Sequence, residues 1–137
     1  MSQVYALFSS EWQSVLSECK IGSATSWSDA TLVYADNKVF IPSGQEMFGN
    51  TFMDSYYKQE NCTQFDYYRL NNTDAYRIKQ YTGPSTSSYS TGDNIVYWTR
   101  SPYAANGQYF CCVRDTGAVY NRYANMAYFG VSVTFAI

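Results

Sequence analysis

"QYFCCVRDTGAVYNRY", residues 108–123, is the stretch on which the architecture of this chain turns. QYFCCV and AVYNRY read as two β-rich strands, and RDTG between them is a tight turn. There Gly117 supplies the positive φ that a residue with a Cβ resists. The adjacent Cys111 and Cys112 would face opposite sides of the first strand, one toward a core and one away from it. Phe110 and Val113 are an odd number of residues apart, so both can point inward only across a bulge. Upstream, IVYWT at 95–99 is a further strand, connected through the turn-rich RSPYAANG. Downstream, VSVTFAI at 131–137 alternates so that Val131, Val133, Phe135 and Ile137 share one face. The C-terminal third is therefore expected to be sheet.

The N-terminal half carries both periodicities. QVYALF, residues 3–8, reads as an opening strand. SSEWQSVLSECK then places Trp12, Val15, Leu16 and Cys19 at helical spacing, with Ser9 or Ser10 as N-cap and Ser10 with Gln13 as a capping box. That helix is expected to end near Gly22. TLVYADNKVFI, residues 31–41, reads as a hairpin turning at Asp36-Asn37. Ser43 with Glu46 is a second capping box, and Met47-Phe48 begin the buried face of a short helix. Residues 50–80 read as a helix or irregular insert, and 82–93, TGPSTSSYSTGD, as loop. A closing strand and an opening strand are expected to pair. The reading is one α+β domain over 1–137, mainly antiparallel sheet with one or two helices in the N-terminal half and paired terminal strands.

Bulk properties narrow the function classes. A chain of 137 residues is long enough for one core and short of two. Net charge −2 with a pI near 4.9 gives no basic footprint, which argues against nucleic acid and anionic membrane surfaces as partners. No apolar run approaches the roughly 18 residues of a spanning helix, so no membrane insertion is expected, and the first residues do not read as a signal peptide. Cys19, Cys62, Cys111 and Cys112 follow no CxxC spacing and there is no His, so free thiols rather than a metal site are expected. The same lack of His removes the commonest general base and every Ser-His or Cys-His pair. Asp54, Glu60 and Asp66 have no spacing that gathers two carboxylates in one site, and Gly44 and Gly49 flank QEMF without the Lys-Ser/Thr of a phosphate loop. No catalytic residue, metal ligand or cofactor is expected. Asn61 and Asn71 head glycosylation sequons. Tyr supplies 15 residues amid Ser, Asn and Gly, a composition shared by binding paratopes and by Tyr-rich β domains.

KVFIPSGQEMFG, RIKQYTG and YWTRSPYAANGQYFCCVRDTGAVYNRYANMAYFGVSVTFAI together resemble a bacterial and phage domain family, some of whose members are the variable proteins of diversity-generating retroelements. The resemblance covers roughly residues 38–137 and implies a C-type lectin-like fold. In such systems an error-prone reverse transcriptase copies a template repeat, mutates its adenines, and the copy replaces the 3′ end of the gene. By that resemblance Trp98, Arg100, Ser101, Pro102, Phe110, Val113, Gly117, Gly130, Val131 and Phe135 are scaffold. The family often carries Arg-Pro where this chain has Ser132-Val133.

The resemblance also implies a ligand-binding variable region at about 103–129. Asn106, Asn121 and Asn125 would be surviving template codons, and Tyr103, Tyr109, Cys112, Arg114 and Asp115 products of mutation. Tyr120, Arg122, Tyr123, Tyr128 and Phe129 would be products as well. The genetic code offers a check, because adenine mutation of AAC or AAT cannot yield Lys, Glu, Gln, Met or Trp. Residues 1–102 hold 20 of those types, a density that predicts about seven in 103–137; the chain has two, Gln108 and Met126, both reachable from AAA or AAG. These two complete the candidate ligand-binding set. The expected function is a non-catalytic display protein for variable protein or cell-surface ligands, on a phage tail or bacterial surface, with homo-oligomers allowed. The alternative is a non-diversified adhesin of the same fold with a fixed protein or glycan ligand. No Glu-Pro-Asn or Gln-Pro-Asp loop is present, so calcium-dependent sugar binding is not expected. An enzyme related to formylglycine-generating folds would need reactive cysteines, and Cys111-Cys112 read more simply as a core thiol and a variable position.

Overall fold

The computed structural model describes residues 2–26, 28–29, 31–49 and 62–137. Among these, the chain is a mixed α+β domain of short helices and mainly antiparallel strands. Two short helices open it, α1 (Ser2–Tyr5) and α2 (Ser10–Val15). Strands β1 (Cys19–Ala24), β2 (Leu32–Asn37) and β3 (Val39–Phe40) follow, then helices α3 (Gly44–Phe48) and α4 (Asp66–Leu70) and a 3-10 turn at Asp74–Arg77. Strands β4 (Tyr97–Pro102), β5 (Tyr109–Val113), β6 (Val119–Tyr123), β7 (Gly130–Val131) and β8 (Thr134–Phe135) complete it.

The largest sheet runs β6-β5-β4-β7, antiparallel except for the parallel β4–β7 pair. The β5–β6 hairpin forms as its sequence predicts, with Gly117 at φ 84°. A Cβ on Gly117 would lie 1.8 Å from the carbonyl oxygen of Asp74, so the turn both needs positive φ and abuts the 3-10 turn. Val113 packs in the main core with Met47, Tyr68, Ile95 and Tyr97, whereas Phe110 is only half-buried. The two therefore do not share the core. A register shift does occur, but in the β4–β5 ladder between Trp98 and Pro102. Segment 82–93 is loop, as expected, folded back on itself by Tyr81 N–H to Asp93 O and Gly92 N–H to Tyr81 O.

Several expectations from the N-terminal half are corrected. Residues 2–5 are helical rather than an opening strand: Val4 to Phe8 is a continuous apolar run with no polar alternation to hold one face. Helix α2 is capped by Ser9, which accepts from Trp12 N–H, while Gln13 turns back to the Phe8 carbonyl instead of making a capping box. The helix stops at Val15, leaving Leu16 as the buried member of the stripe and placing Cys19 and Gly22 inside β1. Residues 31–41 form two strands but no hairpin with each other. β2 pairs with β1, whose connection Asp29 braces by accepting from Thr31 N–H and the Thr25 hydroxyl. β3 pairs with β8. The closing segment breaks at Ser132-Val133 and switches sheets, and the terminal pairing joins β8 to β3 and residue 136 to residue 17, not to residues 3–8. The opening segment still reaches β8 through side chains: Phe8 and Trp12 meet Phe135 edge-on at 5.7 and 5.9 Å.

Candidate functional site

The site begins with what holds the sheet still. Glu46 lies in the capping box that opens α3: Ser43 accepts from Glu46 N–H, and the Glu46 carboxylate accepts from Ser43 N–H at 2.8 Å. The same carboxylate takes a two-pronged ion pair from Arg100 on β4, at 2.7 and 2.8 Å. Arg100 also donates to the carbonyls of Gly22 and Ile41, tying β1 and the β3–α3 connection to β4. Ser101 accepts from Gly44 N–H. These side chains are buried, so SGQE and TRSP form one polar hub inside the fold. A second buried cation, Arg77, donates to the Met47 carbonyl and Asn72 and stacks on Phe48.

On this frame the residues of 103–129 gather into aromatic clusters at the surface. Tyr109 and Tyr123, paired across β5 and β6, have ring centroids 4.3 Å apart, and Tyr103 meets Tyr109 edge-on at 6.1 Å. The hydrogen bond with Tyr123 raises the pKa of Tyr109. Beside them, Gln108, Tyr123, Ala124 and Asn125 line a shallow depression of about 380 Å³. The other cluster lies along one row of the sheet, where Tyr120, Cys112, Trp98 and Val131 are register partners on β6, β5, β4 and β7. Arg122 and Arg114 sit over the Tyr120 ring at 3.9 and 5.0 Å. Phe129 lies on Trp98 at 4.9 Å and Tyr128 meets Phe129 edge-on.

The remaining candidates divide by what they do. Asn106 builds the β4–β5 connection: its side chain accepts from Gln108 N–H and its carbonyl from Tyr109 N–H. Asn121 opposes Cys111 within the ladder, Met126 is half-buried in the turn after β6, and Asp115 is exposed in the hairpin turn. Cys112 is fully buried, as is Cys111, and offers a ligand no surface. Burial raises its thiol pKa to about 12, against the opposing pull of Arg122 and Arg114. None of the four cysteines is in a disulfide. Of the other sequence candidates, Asp66 pairs with Arg69 on the surface, Asn71 hydrogen-bonds the Tyr67 carbonyl, and Asp54, Glu60 and Asn61 lie outside the described residues. Among the described residues no three His, Cys, Asp or Glu side chains gather to hold a metal ion, and no helix is long and apolar enough to cross a membrane.

The family described as a domain of unknown function (DUF6273) matches residues 1–137. The chain belongs to the DUF6273 family. No curated protein and no solved structure matches it. Two features of this DUF6273 domain escaped sequence reasoning. Trp98, read as scaffold, is half-exposed and shares a surface with Phe129. Tyr67 and Tyr76 form a further exposed pair at 6.1 Å, in a segment too polar and irregular for its periodicity to announce them.

Proposed function

We propose that this domain is a non-catalytic binding module whose ligand surface is the Tyr- and Arg-rich face of 103–129, carried on a C-type lectin-like scaffold and diversified by adenine-directed retroelement mutagenesis. The observation that carries the reading is the separation of labour along the chain. Arg100, Ser101, Val113 and Gly117 hold the hub and core, while Tyr103, Tyr109, Tyr120, Arg122, Tyr123 and Tyr128 carry surface aromatic and cationic groups. Rigid rings at the rim of a sheet supply contact area at low entropic cost, and Arg supplies both charge and stacking. The antiparallel β4-β5-β6 meander and the pairing of β8 with an early strand support the lectin-like reading of the fold.

Two observations favour the alternative, a fixed-ligand adhesin module. Cys112 is wholly buried and Asn106 braces a turn, and both are poor places for free substitution. Amplicon sequencing of the gene's 3′ end across a population of its source organism separates the two. Substitutions concentrated in codons 103–129, at adenines of a nearby repeat, support diversification. An invariant tail refutes it and leaves a module with one fixed ligand.

A further inference from the structure

The surface of 103–129 carries a charge arrangement distinct from its aromatic content. Among the described residues the ion pairs are Arg69–Asp66, Arg77–Asp74 and Arg100–Glu46. Arg114 and Arg122 join none of them. Both guanidiniums instead share one ring, that of Tyr120, and the single carboxylate of the hairpin turn, Asp115, pairs with neither. Two like charges held over one aromatic side chain repel each other, and an anion placed between or beside them relieves that repulsion. The Tyr120 ring keeps both guanidiniums close to one point of the surface, 5.0 and 3.9 Å from its centre, so two planar donor forks are gathered there before a ligand arrives.

We infer that Arg114, Arg122 and Tyr120 form a receptor for carboxylate side chains of a protein ligand, with the Trp98–Phe129 pair in the same row of the sheet accepting an adjacent apolar side chain. The inference rests on the binding reading above and gives it a ligand chemistry. A planar guanidinium matches a carboxylate through two parallel hydrogen bonds. Protein is favoured over a polyanion by the rest of the molecule. The domain carries net charge −2, so a sulfated glycan or nucleic acid would be repelled beyond its first anionic group, whereas one or two carboxylates in an otherwise neutral segment would not. The Trp98–Phe129 contact adds apolar surface of the kind protein interfaces use as anchors.

The test is selection of a random linear peptide library displayed on phage against the folded domain and against its R114Q/R122Q variant. Arg114 is exposed and Arg122 half-buried, and neither belongs to the buried core, so circular dichroism of the variant should match the parent; R114K/R122K, which keeps the charge and loses the planar fork, is run beside it. The expected result is enrichment of Asp or Glu next to an aromatic or aliphatic residue on the parent only. A synthesised winner should lose about tenfold or more in affinity on R114Q/R122Q, lose part of that on R114K/R122K, and weaken with added salt. Selected peptides without a carboxylate excess, equal binding to R114Q/R122Q, or tighter binding of heparin than of any selected peptide would each overturn the inference. Because selection is performed on this one sequence, its outcome is independent of whether the tail varies in a population, so the two ideas fail separately.

Discussion

Replacing Glu46 by Gln should cripple the fold without touching the proposed binding face. The carboxylate accepts three hydrogen bonds, two from Arg100 at 2.7 and 2.8 Å and one from Ser43 N–H at 2.8 Å. A Gln side chain of the same shape has one acceptor oxygen and turns an NH2 toward donors at the other position, so at least one contact becomes donor against donor. It also leaves the buried guanidinium of Arg100 without its counter-charge. Removing one partner of a buried, hydrogen-bonded ion pair costs about 3–5 kcal/mol, a large share of the roughly 5–15 kcal/mol by which domains are stable. For a chain of this size that is a fall in Tm of about 10 °C or more. Thermal and urea unfolding followed by circular dichroism measure it, and the Glu46→Met, Arg100→Met double variant completes the cycle. The double variant should recover much of the loss, because it removes both charges together. A Glu46→Gln protein melting within about 2 °C of the parent would refute the claim that this pair ties β1, α3 and β4 together.

Gly117→Ala should cost about 3 kcal/mol or more, because the new Cβ meets the Asp74 backbone in addition to the roughly 1–2 kcal/mol of left-handed strain; urea unfolding reads it, and a loss under about 1 kcal/mol would contradict the packing of the hairpin on the 3-10 turn. Burial raises the pKa of the Cys112 thiol to about 12 and moves the Tyr97 and Tyr68 hydroxyls upward. A raised folded-state pKa means stability is intact below the unfolded pKa and is lost as pH rises toward the folded one. The free energy of unfolding should therefore hold from pH 7 to 8 and fall from about pH 8.5 upward, by up to about 1.4 kcal/mol per pH unit for each group in its window, with Tm falling alongside it. Cys112→Ala should flatten the first part of that fall. Cys112→Tyr should cost about 1–3 kcal/mol or more by overpacking, whereas Tyr109→Ala, Tyr123→Ala and Tyr128→Ala combined should cost less than about 2 kcal/mol, since these rings lie at the surface; the reverse order in a melting series would place these rings in the core.

What the sequence made legible were features whose cause is local. The Ser43–Glu46 capping box is a reciprocal contact across three residues, and it forms as written. Gly117 in RDTG is a conformational requirement within a four-residue turn, and the hairpin follows from it. Illegible were choices settled by distant partners. TLVYADNKVFI contains two good strands, but each pairs outside the segment, because β1 and β8 offer longer or more buried ladders than a turn at Asp36-Asn37. The helical stripe at 10–19 was cut short once Cys19 began pairing with Asn37. The candidate site was legible in composition and partly in placement: its Tyr and Arg residues do gather at the surface, yet Cys112 sits in the core, since neighbouring residues on a strand covered from both sides are both buried.

The pairing of β3 with β8 has a kinetic meaning. Val39 pairs with Phe135, and the ion-pair hub likewise joins positions 22, 41, 46 and 100. Contacts so far apart in sequence require most of the chain's loop-closure entropy to be lost before they form. The domain should therefore fold slowly for its size and late in synthesis, when residue 135 is available. Until then the Phe40 side of β3 and the rings of Phe8 and Trp12 lack the strand that meets them, and a chain cut short before residue 134 would be expected to aggregate rather than persist as a smaller domain.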